Sequence, residues 1–145
     1  MIGLIQRVSW AKVEVEEQLI GRIEQGILVL VGMEKNDQQA QADKLLQRLL
    51  NYRIFADNDD KMNLSVKDIH GGLLLVPQFT LAADTKKGLR PSFSSAKAPV
   101  EAEALFHYLL NQAQSQYSRV EAGQFGADMK VSLVNDGPVT FSITV

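Results

Sequence analysis

The sequence predicts a mixed α/β (α+β) fold: a curled sheet or β-barrel-like core with two main helices, in a single domain over residues 1–145. Three observations predict it. Residues 2–32 read as β structure, with side chains alternating at a period of two over residues 11–16 and a short apolar run at 26–32. Two later stretches repeat apolar residues with helical spacing. Six or so strands with two helices cannot have both faces of a sheet covered by helix, so the strands must curl or leave a face for a partner subunit.

Each element has its own reason. Ala11, Val13 and Val15 alternate with Lys12, Glu14 and Glu16 on the first strand. Gln18 to Gly21 is the expected turn, and Gly21-Arg22-Ile23 returns as a strand. Gly26 to Gly32 is an apolar run bounded by glycines, the pattern of a buried strand. Asn36 or Asp37 is the expected helix cap. Ala42, Leu45, Leu46, Leu49 and Leu50 form the apolar stripe that follows, with Lys44, Gln47 and Arg48 facing outward. Arg53-Ile54-Phe55 reads as a short strand, and Asp57 to Lys61 as a polar loop. Gly71-Gly72 opens the strand that delivers Gln78 to Thr80.

Residues 82–97 form a long polar connection in which Lys86, Lys87, Arg90 and Lys97 face one carboxylate, Asp84. A connection of that length inside a compact domain points to function. Pro99 begins a second helix, with Ala102, Leu105, Phe106, Leu109, Leu110 and Ala113 on its apolar face. Gly123 to Ala127 is a turn. Residues 129–135 and 138–144 read as two strands joined at Asp136-Gly137.

Composition removes several chemistries. At 46% hydrophobic and 22% charged residues the chain is an ordinary globular one, and no apolar run reaches the ~18 residues of a membrane span. The first residues lack a basic segment followed by a long apolar one, so a cytoplasmic location is expected. There is no cysteine, which excludes disulfides and thiolate chemistry. His70 and His107 are the only histidines and lie too far apart in sequence for a short zinc motif, so no metal and no cofactor are expected. A net charge of −2 argues against broad binding to nucleic acid, but not against contact with one end of it.

Polar groups at strand ends are the candidate site. Thr80 can attack a carbonyl if a base serves it, or hydrogen-bond one. Gln78 can hold a carbonyl or a ribose hydroxyl, or satisfy local backbone. Phe79 is either core or a wall for a base. Gly137-Pro138 is either a hairpin turn or a cis pair with its carbonyls facing a pocket, and X–Pro bonds are cis in only ~5–6% of folded cases. Lys86, Lys87 and Arg90 are either a solvated surface or phosphate contacts. Arg7 can bond main-chain carbonyls or reach solvent.

Taken in order, Ile5-Gln6-Arg7-Val8, Leu75-Val76-Pro77-Gln78-Phe79-Thr80-Leu81, Gly88-Leu89-Arg90-Pro91-Ser92-Phe93, Phe125-Gly126-Ala127-Asp128-Met129 and Asn135-Asp136-Gly137-Pro138-Val139-Thr140 resemble the D-aminoacyl-tRNA deacylase family over the whole chain. The resemblance implies a homodimer with active sites at its interface, and hydrolysis of the ester between a D-amino acid and the 3′-terminal adenosine of tRNA. Mischarged glycyl-tRNA(Ala) is an implied second substrate. It implies Gln78 and Thr80 as catalytic, and Phe79, Phe125, Met129, Gly137 and Pro138 as substrate-binding. Arg7 would hold the Gly-Pro loop, and that pair would be cis and reach into the partner's pocket to reject L-amino acids. The family commonly has Ser before Gln-Phe-Thr. Here Pro77 removes that hydroxyl and an N–H. Two rival readings are a dimeric module that binds a nucleotide or tRNA end without turnover, and a hydrolase of free D-amino-acid esters.

Overall fold

The computed structural model describes residues 1–86 and 88–145. The order of elements is β1 (Ile2–Val15), β2 (Gln18–Ile23), β3 (Gly26–Gly32), α1 (Gln39–Asn51), β4 (Phe55–Ala56), β5 (Met62–Leu64), β6 (Gly72–Pro77), a 3-10 turn (Phe79–Ala82), α2 (Pro99–Gln116), β7 (Val120–Ala122) and β8 (Lys130–Thr144).

β1 is the spine. Its first half pairs antiparallel with β3, from Ile2↔Gly32 to Val8↔Gly26, and its second half pairs on the same edge with β2. β8 runs antiparallel along its other edge. β6 is parallel to β3, and β7 is parallel to β6. Parallel neighbours need crossovers, and α1 and α2 supply them. Both helices pack on one face. Leu45, Leu46 and Leu49 of α1 and Phe106 and Leu109 of α2 meet Ile5, Ile27, Val29, Leu73 and Leu75 there. The other face is covered by the sheet itself. Val8, Ala11, Val13, Ile23, Leu28, Leu74 and Val76 form a second cluster, closed by Val131 and Leu133 of β8. The sheet is therefore curled and nearly closed, as the shortage of helices requires. β3 and β6 are buried on both faces, which is why their sequences are continuous apolar runs.

Four local expectations are corrected. The first turn is at Glu16 and Glu17, both at positive φ (48° and 63°), a two-residue loop whose twist matches the flanking strands. Neither residue type signals such a turn, so the glycine at 21 drew the reading away. The first helix is capped by Gln38 in a reciprocal box with Gln41. Asp37 is instead buried, accepting from the Met1 ammonium (2.6 Å) and the Glu34 amide (2.6 Å). The short strand is Phe55–Ala56, without Arg53 and Ile54. Residues 129–135 and 138–144 are not a hairpin. They are two parts of one strand, β8, and both pair with β1.

Candidate active site

β6 carries the first half of the site. Gln78 follows its last residue, and the Gln78 amide still donates to Val31 O at 2.8 Å. Alternation along the strand turns the Pro77 nitrogen to the opposite edge, where β7 has ended at Ala122. The missing N–H therefore breaks no ladder bond, and this end of the sheet accepts proline.

The chain then tightens into the 3-10 turn. Gln78 Nε2 donates to Thr80 Oγ1 at 2.6 Å. The amides of Phe79 and Thr80, first in the turn, donate to no group among the described residues. Phe79 is 55% exposed and Phe93 43%, and their rings lie 5.0 Å apart. Large aromatic rings left open in this way form one wall of a pocket of about 630 Å³. Phe125, itself packed toward Phe106, and Met129 line the same pocket. Such a volume with a largely apolar lining suits a small flat group such as a nucleobase. Phe93 was not foreseen as part of it. Its place in a polar connection was the available signal.

Neither histidine serves Thr80. His107 is exposed on α2, 3.8 Å from Glu103, and His70 sits in a turn at φ 52°. Thr80 Oγ1 has an amide donor and no basic partner among the described residues.

The second half lies on the sheet's outer strand. Arg7 of β1 faces four residues of β8, because Gln6 pairs with Thr140 and Val8 with Asn135. The extra residues, Asp136 to Val139, bulge out around a cis Gly137-Pro138 bond. Arg7 ties the bulge down: its Nε donates to Asp136 O (2.9 Å) and its guanidinium NH1 to Ile54 O (2.7 Å). The carboxylate of Asp136 is 3.7 Å from Arg7 Nε. Gly137 has φ +142°, and a Cβ there would meet Val139 Cγ2 at 2.6 Å. Only glycine fits.

The two halves do not meet within one chain. The pocket is not lined by Arg7, Gly137 or Pro138. Register places Arg7 level with Ile27 and Leu73, whereas Gln78 lies beyond the far end of β6. Val131, near the start of β8, lines the pocket, and Gly137 lies six residues further along the same strand, a separation on the order of 20 Å.

The cationic connection is closed by paired main-chain bonds between Asp84 and Ser92. Lys86 and Arg90 are exposed on it and do not line the pocket, and Lys87 lies outside the described residues. Lys97, one of its four cations by sequence, is buried, with Nζ donating to Lys35 O at 3.1 Å and 3.5 Å from Glu101.

Residues 4–144 match the family model described as D-Tyr-tRNA(Tyr) deacylase. The chain belongs to that family. A D-aminoacyl-tRNA deacylase of Stutzerimonas stutzeri (strain A1501) is 64% identical over 97% of both chains. One of Pseudoalteromonas translucida (strain TAC 125) is 62% identical over the full length of both. Among solved structures, a c-Myc DNA Unwinding Element Binding Protein superposes with a TM-score of 0.96 at 36% identity, covering 100% of this chain and 99% of that one. A structure described as a probable eukaryotic D-amino acid tRNA deacylase shares the fold, with a TM-score of 0.84 at 16% identity over 98% of each chain.

Proposed function

We propose that this member of the deacylase family hydrolyses the ester between a D-amino acid and the 3′-terminal adenosine of tRNA, as a homodimer whose pockets are each completed by the partner's Gly137-Pro138 bulge. The observation that carries this reading is the divided site. The exposed Gly137-Pro138 bulge does not line the pocket of its own chain, and in this reading a second copy brings the two together.

In this reading the adenine packs among Phe79, Phe93, Phe125 and Met129. The ester carbonyl then lies over the start of the 3-10 turn. The free amides of Phe79 and Thr80 are the donors for the developing oxyanion, and Thr80, oriented by Gln78, positions the attacked group. Water adds to the carbonyl carbon, the bond to the ribose 3′-oxygen breaks, and the water's proton ends on that oxygen, with the neighbouring 2′-hydroxyl placed to relay it. An aminoacyl ester is reactive enough that orientation can replace a strong nucleophile. No metal has a part in these steps.

Chirality follows from exclusion. Main-chain oxygens of the partner's bulge close to the substrate Cα leave space for hydrogen and none for a methyl group. A D-side chain then points away, and glycine passes, which extends the substrates to glycyl-tRNA(Ala). Lys86, Lys87 and Arg90 are suited to phosphates of the acceptor end.

The test is loss of ester from matched D- and L-tyrosyl-tRNA after EDTA treatment. Rapid loss of only the D-ester is expected. Loss of both would overturn the exclusion argument. A binding module without turnover is the second reading, favoured by the binding protein that shares 36% identity with this chain. Adenosine or nucleic-acid affinity with no loss of either ester would establish it.

A further inference from the structure

We infer that Asn135 is a specificity-determining positioning residue: its side-chain amide replaces the missing strand ladder across the Gly137-Pro138 bulge and so sets where that wall stands. The inference rests on the chiral reading of the bulge given above. Between Asn135 and Thr140 the β1–β8 pairing is interrupted, so the segment has few main-chain bonds to hold its shape. Asn135 spans the gap from one end. Its Oδ1 accepts the Val139 N–H at 2.6 Å, and its Nδ2 donates to Thr140 Oγ1 at 2.9 Å and more weakly to Val139 O at 3.4 Å.

Arg7 cannot do this alone. It grips the bulge at Asp136 O, on the side before Gly137, and anchors to Ile54 O. Asn135 grips Val139 and Thr140, on the side after Pro138. With both present, the two peptides between are held at both ends. With Asn135 gone, the far end is fixed only through the packing of Val139, which is buried, and the main-chain oxygens gain freedom to move. A wall that separates hydrogen from methyl works over about an ångström, so small freedom is enough to admit the wrong hand. The side chain touches no substrate. It acts on selectivity through the bulge.

The experiment compares the ratio of D- to L-tyrosyl-tRNA hydrolysis for the full chain, Asn135→Ala, Asn135→Asp and Gly137→Ala, with Tm measured for each. Asn135→Ala is expected to lower the ratio roughly tenfold, the loss of about one to two hydrogen bonds' worth of positioning. Asn135→Asp keeps an acceptor for Val139 N–H and lets the Thr140 hydroxyl donate instead, and is expected to recover the ratio to within about threefold. A folded Asn135→Ala with an unchanged ratio, including one in which both rates fall together, would overturn the inference. So would a folded Asn135→Asp as unselective as the alanine variant. If Asn135→Ala does not fold, Thr140→Val, which removes one acceptor and keeps the shape, is expected to lower the ratio by about threefold, and an unchanged ratio there overturns the inference as well. A shifted ratio in Gly137→Ala beside an unchanged one in Asn135→Ala sinks Asn135 alone. An unchanged ratio in Gly137→Ala sinks the chiral reading of the bulge itself.

Discussion

Gln78 donates its side-chain N–H to Thr80 Oγ1, so the threonine's own proton is free to point at a bound carbonyl. That arrangement suits a hydroxyl that orients and does not attack, since a nucleophile would need an acceptor for its proton. Two outcomes follow. Gln78→Ala should lower kcat/KM for D-tyrosyl-tRNA by about fivefold to tenfold, one hydrogen bond's effect, in steady-state assays. Rapid-quench mass spectrometry should find no aminoacyl adduct on the chain at any time in the first turnover, and an adduct at Thr80 would reverse the assignment. Arg7 was legible from the family resemblance as the residue that holds the Gly-Pro loop. That it does so at Asp136 O and is anchored behind at Ile54 O was not, because the two carbonyls are brought to it only by the pairing of β8 and the placing of β4. Phe93 was invisible for the same reason: its partner Phe79 meets it only after the polar connection folds back.

The elements read from periodicity have the burial that periodicity implies. Leu45, Leu46 and Leu49 of α1 are fully buried, and Leu49→Ala should destabilise the chain by about 2–5 kcal/mol in urea titration. Short irregular turns carry their own chemistry. Asp68 accepts the Ser65 N–H (2.8 Å) and hydroxyl (2.7 Å), and the backbone bond above all holds its carboxyl below the ordinary 3.8. A carboxylate with a lowered folded pKa stabilises fully above its unfolded value, and that contribution is lost as pH falls through the folded value. Asp68→Asn should therefore have a lower urea midpoint than the parent at pH 7, and the two should converge in acid below the ordinary carboxylate range. The hairpin expected at Asp136-Gly137 has a tertiary correction. Asp-Gly signals a hairpin by residue type. Here β1 runs the whole length beneath β8, so the dipeptide opens a bulge within a strand and not a reversal between two.

At the scale of the whole molecule, the curl of the sheet leaves β8 with one paired edge, and it carries exposed Val134 and Phe141 beside the bulge. A shared site predicts complementation. Thr80→Val and Gly137→Ala homodimers should each be impaired, while their mixture, after subunit exchange, should regain about a quarter of the parent's active sites, because each mixed dimer holds one intact pairing of pocket and bulge. No recovery in a mixture that demonstrably exchanges would count against the shared site. The curl also brings Met1 to Asp37 and to Val145 O, where a buried ammonium and carboxylate face each other. Asp37→Ala leaves that ammonium with Val145 O and the half-exposed Glu34 carboxylate, each at 3.2 Å, and should cost about 1.5–3 kcal/mol by thermal or chemical denaturation, the loss of one charged hydrogen bond. Among the described residues no helix is long and apolar enough to cross a membrane.

By itself the sequence determined the helices, the doubly buried strands and the order of family motifs, since these rest on spacing within a few residues and on the chemistry of single side chains. It also placed the aromatic and amide groups of the pocket at the end of β6, because a strand carries its sequence straight to its end. Tertiary structure alone decided that Gly137-Pro138 is a bulge within one strand, that Asn135 grips it from the side opposite Arg7, and that it stands away from the pocket of its own chain. These depend on which strand lies beside which, and long-range pairing is set by the burial of whole faces, a quantity that no local run of residues contains.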